Sequence, residues 1–205
     1  MNVPNRLTVL RLLLVPVYLV FILGFGGEVW GRVVSICVFA IASFTDFLDG
    51  KIARKYHLIT DFGKFLDPLA DKFLVLAALA SLSFEAATNA ANSMIFSVLF
   101  FCTFIIVLLR ELAVTSMRLV VASSPDKKVV AASWLGKIKT CTQMFFILTA
   151  MIEPLIWEGH IATYIFMVAA AIMTVWSGMS YIVGYWSILT RPNKAKAIDI
   201  SAEIV

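Results

Sequence analysis

Four aspartates stand close together in a greasy chain: Asp46, Asp49, Asp67 and Asp71, within DFLDGKIARKYHLITDFGKFLDPLAD. An ionised carboxylate at membrane depth costs on the order of 2.5–3.5 kcal/mol on insertion scales. Four converging carboxylates also repel one another. A multivalent cation between them relieves both penalties. Hard oxygen ligands select magnesium or manganese over zinc. Asp46 and Asp49 are three residues apart, and Asp67 and Asp71 four, so on helices each pair shares a face. Gly50 allows close approach of a backbone or a phosphate. Ala53 keeps that face open, and Arg54 offers a planar fork to a phosphate. Pro68 is expected in the first turn of the second helix, where its missing N–H is harmless. Gly63 precedes it, in the turn or at the first contact of the two helices. Residues 50–64 then form a hairpin that sets one pair of carboxylates opposite the other.

A second polar set interrupts the apolar run FFCTFIIVLLRELAVTSMRLVV. Glu111, Thr115 and Arg118 share a helix face by spacing, and Arg110 lies close enough in rotation to border the same cavity. With Lys137 and Lys139 they predict a cationic rim suited to a small phosphorylated molecule. Arg110 lies too deep in its run to be an interfacial anchor. Lys127 and Lys128 suit plain anchoring. Asn5, Thr8 and Arg11 are polar at the start of the first apolar run. Asn5 reads either as a helix N-cap or as a ligand contact. His57 and His160 read as structural or surface residues. Cys37, Cys102 and Cys141, an odd number in apolar runs, read as small buried hydrophobes without disulfides.

The elements that hold these groups follow from composition. Hydrophobic residues make up 61% of the 205, charged residues 15%, and the mean hydropathy is +0.93. That excludes an ordinary soluble domain. We read one membrane domain over residues 1–205, an all-α bundle of six transmembrane helices with cores at 7–24, 32–48, 66–84, 93–121, 134–153 and 160–188. The first run is too long, and lacks a cleavage site, for a removed signal peptide. With the N-terminus cytoplasmic, every Lys and Arg except Arg32 falls toward the inner side, while Glu28, Glu85, Glu153 and Glu158 lie outside. Both termini and all four aspartates are therefore expected at the cytoplasmic face of a multi-pass cell-membrane protein. The net charge of +4 then reflects topology and anionic head groups, not nucleic acid. A divalent-cation transporter is the rival from another class. The outer halves of the spans, nearly free of charge, offer it no polar route.

Asp46-x2-Asp49-Gly50-x2-Ala53-Arg54-x8-Gly63-x3-Asp67-x3-Asp71 resembles, at every position, the motif of the CDP-alcohol phosphatidyltransferases. The resemblance implies transfer of a phosphatidyl group from a CDP-linked lipid to an alcohol, releasing CMP. It implies two divalent ions, Mg2+ or Mn2+, with Asp46 and Asp67 bridging both and Asp49 and Asp71 completing one each. By the same resemblance Asp71 is the catalytic base, and Asn5, Thr8, Gly50, Ala53, Arg54, Thr60 and Gly63 bind the CDP-lipid. Arg110-Glu111…Thr115…Arg118, Gly136-Lys137-x-Lys139-Thr140…Gln143 and Pro4-Asn5-x-Leu7-Thr8-x2-Arg11 are similar to the glycerophosphate-using branch. That implies CDP-diacylglycerol as donor and sn-glycerol 3-phosphate as acceptor, its phosphate held by Arg110, Arg118, Lys137 and Lys139. An inositol phosphate acceptor is the alternative within the family. The family also implies a homodimer.

Overall fold

The computed structural model describes residues 3–56, 61–122, 134–157 and 159–189. Within these, side chains are described except at 3–5, 46–56, 61–68, 71, 120–122 and 187–189. The described chain is six α-helices: α1 Val3–Phe25, α2 Val29–Tyr56, α3 Asp61–Thr88, α4 Met94–Ala122, α5 Trp134–Ile156 and α6 Ile161–Leu189. They fall on the six expected segments: α1, α2, α3 and α5 extend beyond the expected cores, and α4 and α6 are offset from theirs by one residue. At 1.5 Å per residue the shortest, 23 residues, spans about 35 Å.

Short links join α1 to α2, α3 to α4 and α5 to α6, and each of these pairs packs together. α1 packs most extensively on α2 and then on α3, whereas α2 and α3 touch each other only slightly. The expected hairpin between α2 and α3 therefore exists as connectivity, but α1 holds its two arms. α4 bridges α3 and α6, and α5 lies on α6. The core is aliphatic and aromatic: Tyr18, Phe39, Leu79, Phe100, Phe146 and Met151 are buried. The Tyr18 hydroxyl meets Ser81 Oγ at 3.1 Å inside it, so the buried polar atom is satisfied.

The outer surface is as apolar as the core. Along α6, Ile165, Val168, Ile172, Val175, Met179, Val183 and Trp186 face outward, while Thr174, Ser177, Tyr181 and Tyr185 face inward. A soluble helix shows the reverse order, and lipid explains this one. Among the described residues three helices are long and apolar enough to cross a membrane, at Arg6–Phe25, Met94–Leu119 and Ile161–Trp186, and a shorter apolar stretch covers Val29–Thr45. The chain is thus an α-helical membrane protein.

One end of the bundle is tied by polar groups. Arg32 pairs with Glu85 and donates from Nε to the Gly26 carbonyl at 3.0 Å. His160 Nε2 donates to Asn92 Oδ1 at 2.8 Å and its ring stacks on Phe96 at 4.4 Å. Glu153 accepts from the Ala162 and Thr163 amides, both at 2.8 Å, capping α6. His160 is thus structural, as expected. The aspartates sit toward the other end: Asp46 is 14 residues along α2 from Arg32, about 21 Å.

Two expectations are corrected. Pro68 is not in the first turn of its helix: α3 begins at Asp61, so Pro68 falls within the second turn and leaves the Lys64 carbonyl without its usual donor. Cys37, Cys102 and Cys141 are free thiols, as expected, but they face outward. Small side chains on an apolar exterior satisfy the same hydropathy as small side chains in a core, so composition does not separate the two.

Candidate active site

Backbone geometry supports the carboxylate pairing. α2 is continuous through Asp46 and Asp49, and α3 through Asp67 and Asp71, so each pair lies on one helix face. Helical carboxylates at that spacing are a suitable donor set for a hard divalent ion. The side chains of Asn5, Asp46, Asp49, Gly50, Ala53, Arg54, Gly63, Asp67 and Asp71 lie outside the described residues, as do Thr60 and His57 altogether. Among the described residues no other group of three or more His, Cys, Asp or Glu could hold a metal.

α1 contributes enclosed polar groups. Thr8 and Arg11, three residues apart, are fully buried. α1 packs only on α2 and α3 among the described residues, so both side chains face the helices that carry the aspartates. α1 starts at Val3, which puts Asn5 inside the first turn and removes its reading as N-cap.

The cationic set is assembled around Glu111. Glu111 is 8% exposed and pairs with Lys139 of α5, itself 6% exposed. Arg110 Nη1 reaches the same carboxylate oxygen at 3.0 Å, and its Nη2 donates to Ser177 Oγ of α6 at 2.7 Å. Arg118 Nη2 donates to the Tyr181 hydroxyl at 2.6 Å. The Tyr181 ring carries both guanidinium groups, Arg110 Cζ at 5.6 Å and Arg118 Cζ at 5.1 Å from its centroid. Lys137 stands apart, exposed, with its ammonium 5.3 Å from the centre of the Trp134 ring. Of the four expected phosphate contacts, the structure therefore brings Arg110, Arg118 and Lys139 around one another and leaves Lys137 at the edge.

Arg110 and Lys139 thus share the Glu111 carboxylate, and Arg118 joins Arg110 over the Tyr181 ring, so three cationic side chains gather in one place. Lys72 of α3 donates to Thr115 Oγ1, and Thr115 in turn donates to the Glu111 carbonyl at 2.6 Å. This chain joins the residue after Asp71 to the cationic set. Gln143 Nε2 donates to Thr174 Oγ1 at 3.0 Å, locking α5 to α6 beneath it.

Ser177 and Tyr181 escaped the reading of the sequence. A signal was present: Thr174, Ser177, Tyr181 and Tyr185 recur at spacings of three and four in an apolar helix, as one buried face does.

The model of the CDP-alcohol phosphatidyltransferase family matches residues 1–176. A protein of Mycobacterium tuberculosis (strain ATCC 25618 / H37Rv) named "Probable phosphatidylglycerophosphate synthase" is 40% identical over 182 residues, 88% of this chain and 80% of its own. The CDP-diacylglycerol--glycerol-3-phosphate 3-phosphatidyltransferase of Bacillus subtilis (strain 168) is 36% identical, covering 94% of this chain and 99% of its own. That of Salmonella typhimurium (strain LT2) is 35% identical, covering 88% and 93%. The aspartate motif on α2 and α3, the match over most of the chain and these identities agree: the protein belongs to the CDP-alcohol phosphatidyltransferase family.

Proposed function

We propose that the protein transfers the phosphatidyl group of CDP-diacylglycerol to sn-glycerol 3-phosphate, forming phosphatidylglycerophosphate and CMP. The observation that carries this reading is the net positive cluster of Arg110, Arg118 and Lys139 about Glu111, linked through Thr115 and Lys72 to the helix of Asp71. A phosphate group is the ligand that such a gathering of cationic donors suits. The names of the relatives support the same substrates.

In this reading Asp46, Asp49, Asp67 and Asp71 hold two divalent ions, magnesium or manganese. When bound, these supply charge neutralisation at the diphosphate and the leaving CMP. Asn5, Thr8, Gly50, Ala53, Arg54, Thr60 and Gly63 bind the CDP portion of the donor. Arg110, Arg118, Lys137 and Lys139 hold the acceptor phosphate, fixing the hydroxyl in line with phosphorus. The acceptor oxygen bonds to phosphorus, Asp71 takes its proton, and the phosphoanhydride bond breaks with its electron pair leaving on CMP. All six helices cross the membrane, both termini and the site face the cytoplasm of a bacterial-type cell, and the enzyme works as a homodimer.

An acceptor screen tests this. Purified protein receives CDP-diacylglycerol, magnesium and, separately, sn-glycerol 3-phosphate, glycerol, serine or inositol phosphate. CMP release and mass spectrometry of the lipid are the readouts. Phosphatidylglycerophosphate from the first alone is expected. A phosphatidylinositol phosphate product without it would overturn the acceptor and leave the transferase chemistry standing.

A further inference from the structure

We propose that Ser177, Gly178 and Tyr181 of α6 form a template that sets the position of Arg110 and Arg118, and so the fit of the phosphorylated acceptor. These are positioning residues, acting through the two arginines; the proposal rests on the acceptor site described above.

Three contacts make the template. Ser177, fully buried, accepts from Arg110 Nη2 at 2.7 Å. At Gly178 an added Cβ would stand 3.2 Å from Arg110 Cγ, so the absence of a side chain there gives the arginine stem its track. Tyr181, 3% exposed, accepts from Arg118 through its hydroxyl and lies under both guanidinium groups with its ring. Two like charges brought to one place repel. The negative face of an aromatic ring holds each of them without neutralising either, as a carboxylate would. Tyr181 is itself immobilised by Val114 and by the stacked Tyr185 ring, 6.1 Å away at 19°. The arginines are thereby kept spaced and aimed before a ligand arrives, which lowers the ordering cost of binding an anion. Arg110 Nε is buried without a hydrogen-bond partner among the described residues, a donor that a phosphate oxygen would satisfy.

The test is steady-state kinetics on the full-length enzyme in mixed micelles, with Ser177→Ala, Gly178→Ala and Tyr181→Phe made alone and in an Arg110→Ala background. Tyr181→Phe and Ser177→Ala remove one hydroxyl each, so folding is retained, and a donor KM within about twofold of the parent verifies it. Ser177→Ala and Tyr181→Phe are each expected to raise the sn-glycerol 3-phosphate KM about tenfold, the scale of one lost hydrogen bond to a charged group, and Gly178→Ala is expected to raise it by displacing the Arg110 stem. In the Arg110→Ala background Ser177→Ala and Gly178→Ala should add nothing further, because their effect runs through that arginine. Full additivity there, equal rises in both KM values, or an unchanged acceptor KM in the single variants would overturn the template. If Arg110→Ala itself leaves the acceptor KM unchanged, the acceptor site fails first, and the template with it.

Discussion

In the proposed reaction Asp71 and Arg118 divide the chemistry between them, one for the proton and one for the phosphate. Asp71→Asn keeps the shape of the side chain but cannot accept the acceptor's proton. Loss of a general base commonly costs ~10²–10⁴-fold, so turnover should fall by that much while donor binding is largely kept. Near-normal turnover would remove Asp71 as the base. Asp46→Asn and Asp67→Asn should weaken metal binding as well, which a magnesium titration of activity separates from base loss. Arg118→Ala deletes a charge-assisted contact worth roughly 1.5–3 kcal/mol, and should raise the acceptor KM far more than the donor KM. Lys137→Ala should act in the same direction but by less, since its exposed ammonium is screened by water. Equal effects on both substrates would place these residues at the shared reaction centre instead.

At the scale of the helix, Glu153 offers a prediction separable from catalysis. It ends α5 and caps α6, accepting from two amides and from Thr163 Oγ1 at 2.5 Å. Glu153→Ala should cost about 0.5–2 kcal/mol, as lost caps do, lowering the thermal midpoint in detergent without changing either KM. A changed acceptor KM would mean that this end of the bundle communicates with the site. The helices themselves were legible in the sequence, because twenty or so apolar residues in lipid have one hydrogen-bonded conformation open to them. The aspartate motif was legible too, being local in sequence. Less legible were features that depend on packing. Pro68 read as a helix start because proline favours first turns, yet α3 had already begun at Asp61. The cysteines read as core because an apolar exterior looks like an apolar interior. Ser177 and Tyr181 stand at the spacing of one buried face, but a hydroxyl on an apolar helix gains its role only from the arginine opposite it.

For the molecule as a whole, two expectations concern how the bundle meets its surroundings. Activity should vanish in a chelator and return with magnesium or manganese; full activity in a metal-free preparation would remove the metal ions from the mechanism. The second is orientation. The Arg32–Glu85 pair, the Asn92–His160 contact and the Glu153 cap gather the links after α1, α3 and α5 at one end. An even number of antiparallel helices then sends both ends of the chain to the other end, where α2 and α3 carry the aspartates. Basic residues concentrate at that second end, and cytoplasmic loops retain Lys and Arg. Cys37, Cys102 and Cys141 face outward among apolar side chains, so replacing them with Ala should leave the fold intact and give a thiol-free background. In that background Asn89→Cys should react with a membrane-impermeant maleimide only from the outside of intact cells, and Lys127→Cys only in inverted vesicles. The nucleotide donor and the phosphorylated acceptor would then meet the enzyme on the side where soluble phosphate esters are made. Labelling of Lys127→Cys in intact cells, with Asn89→Cys silent, would invert the bundle and place the aspartates outside.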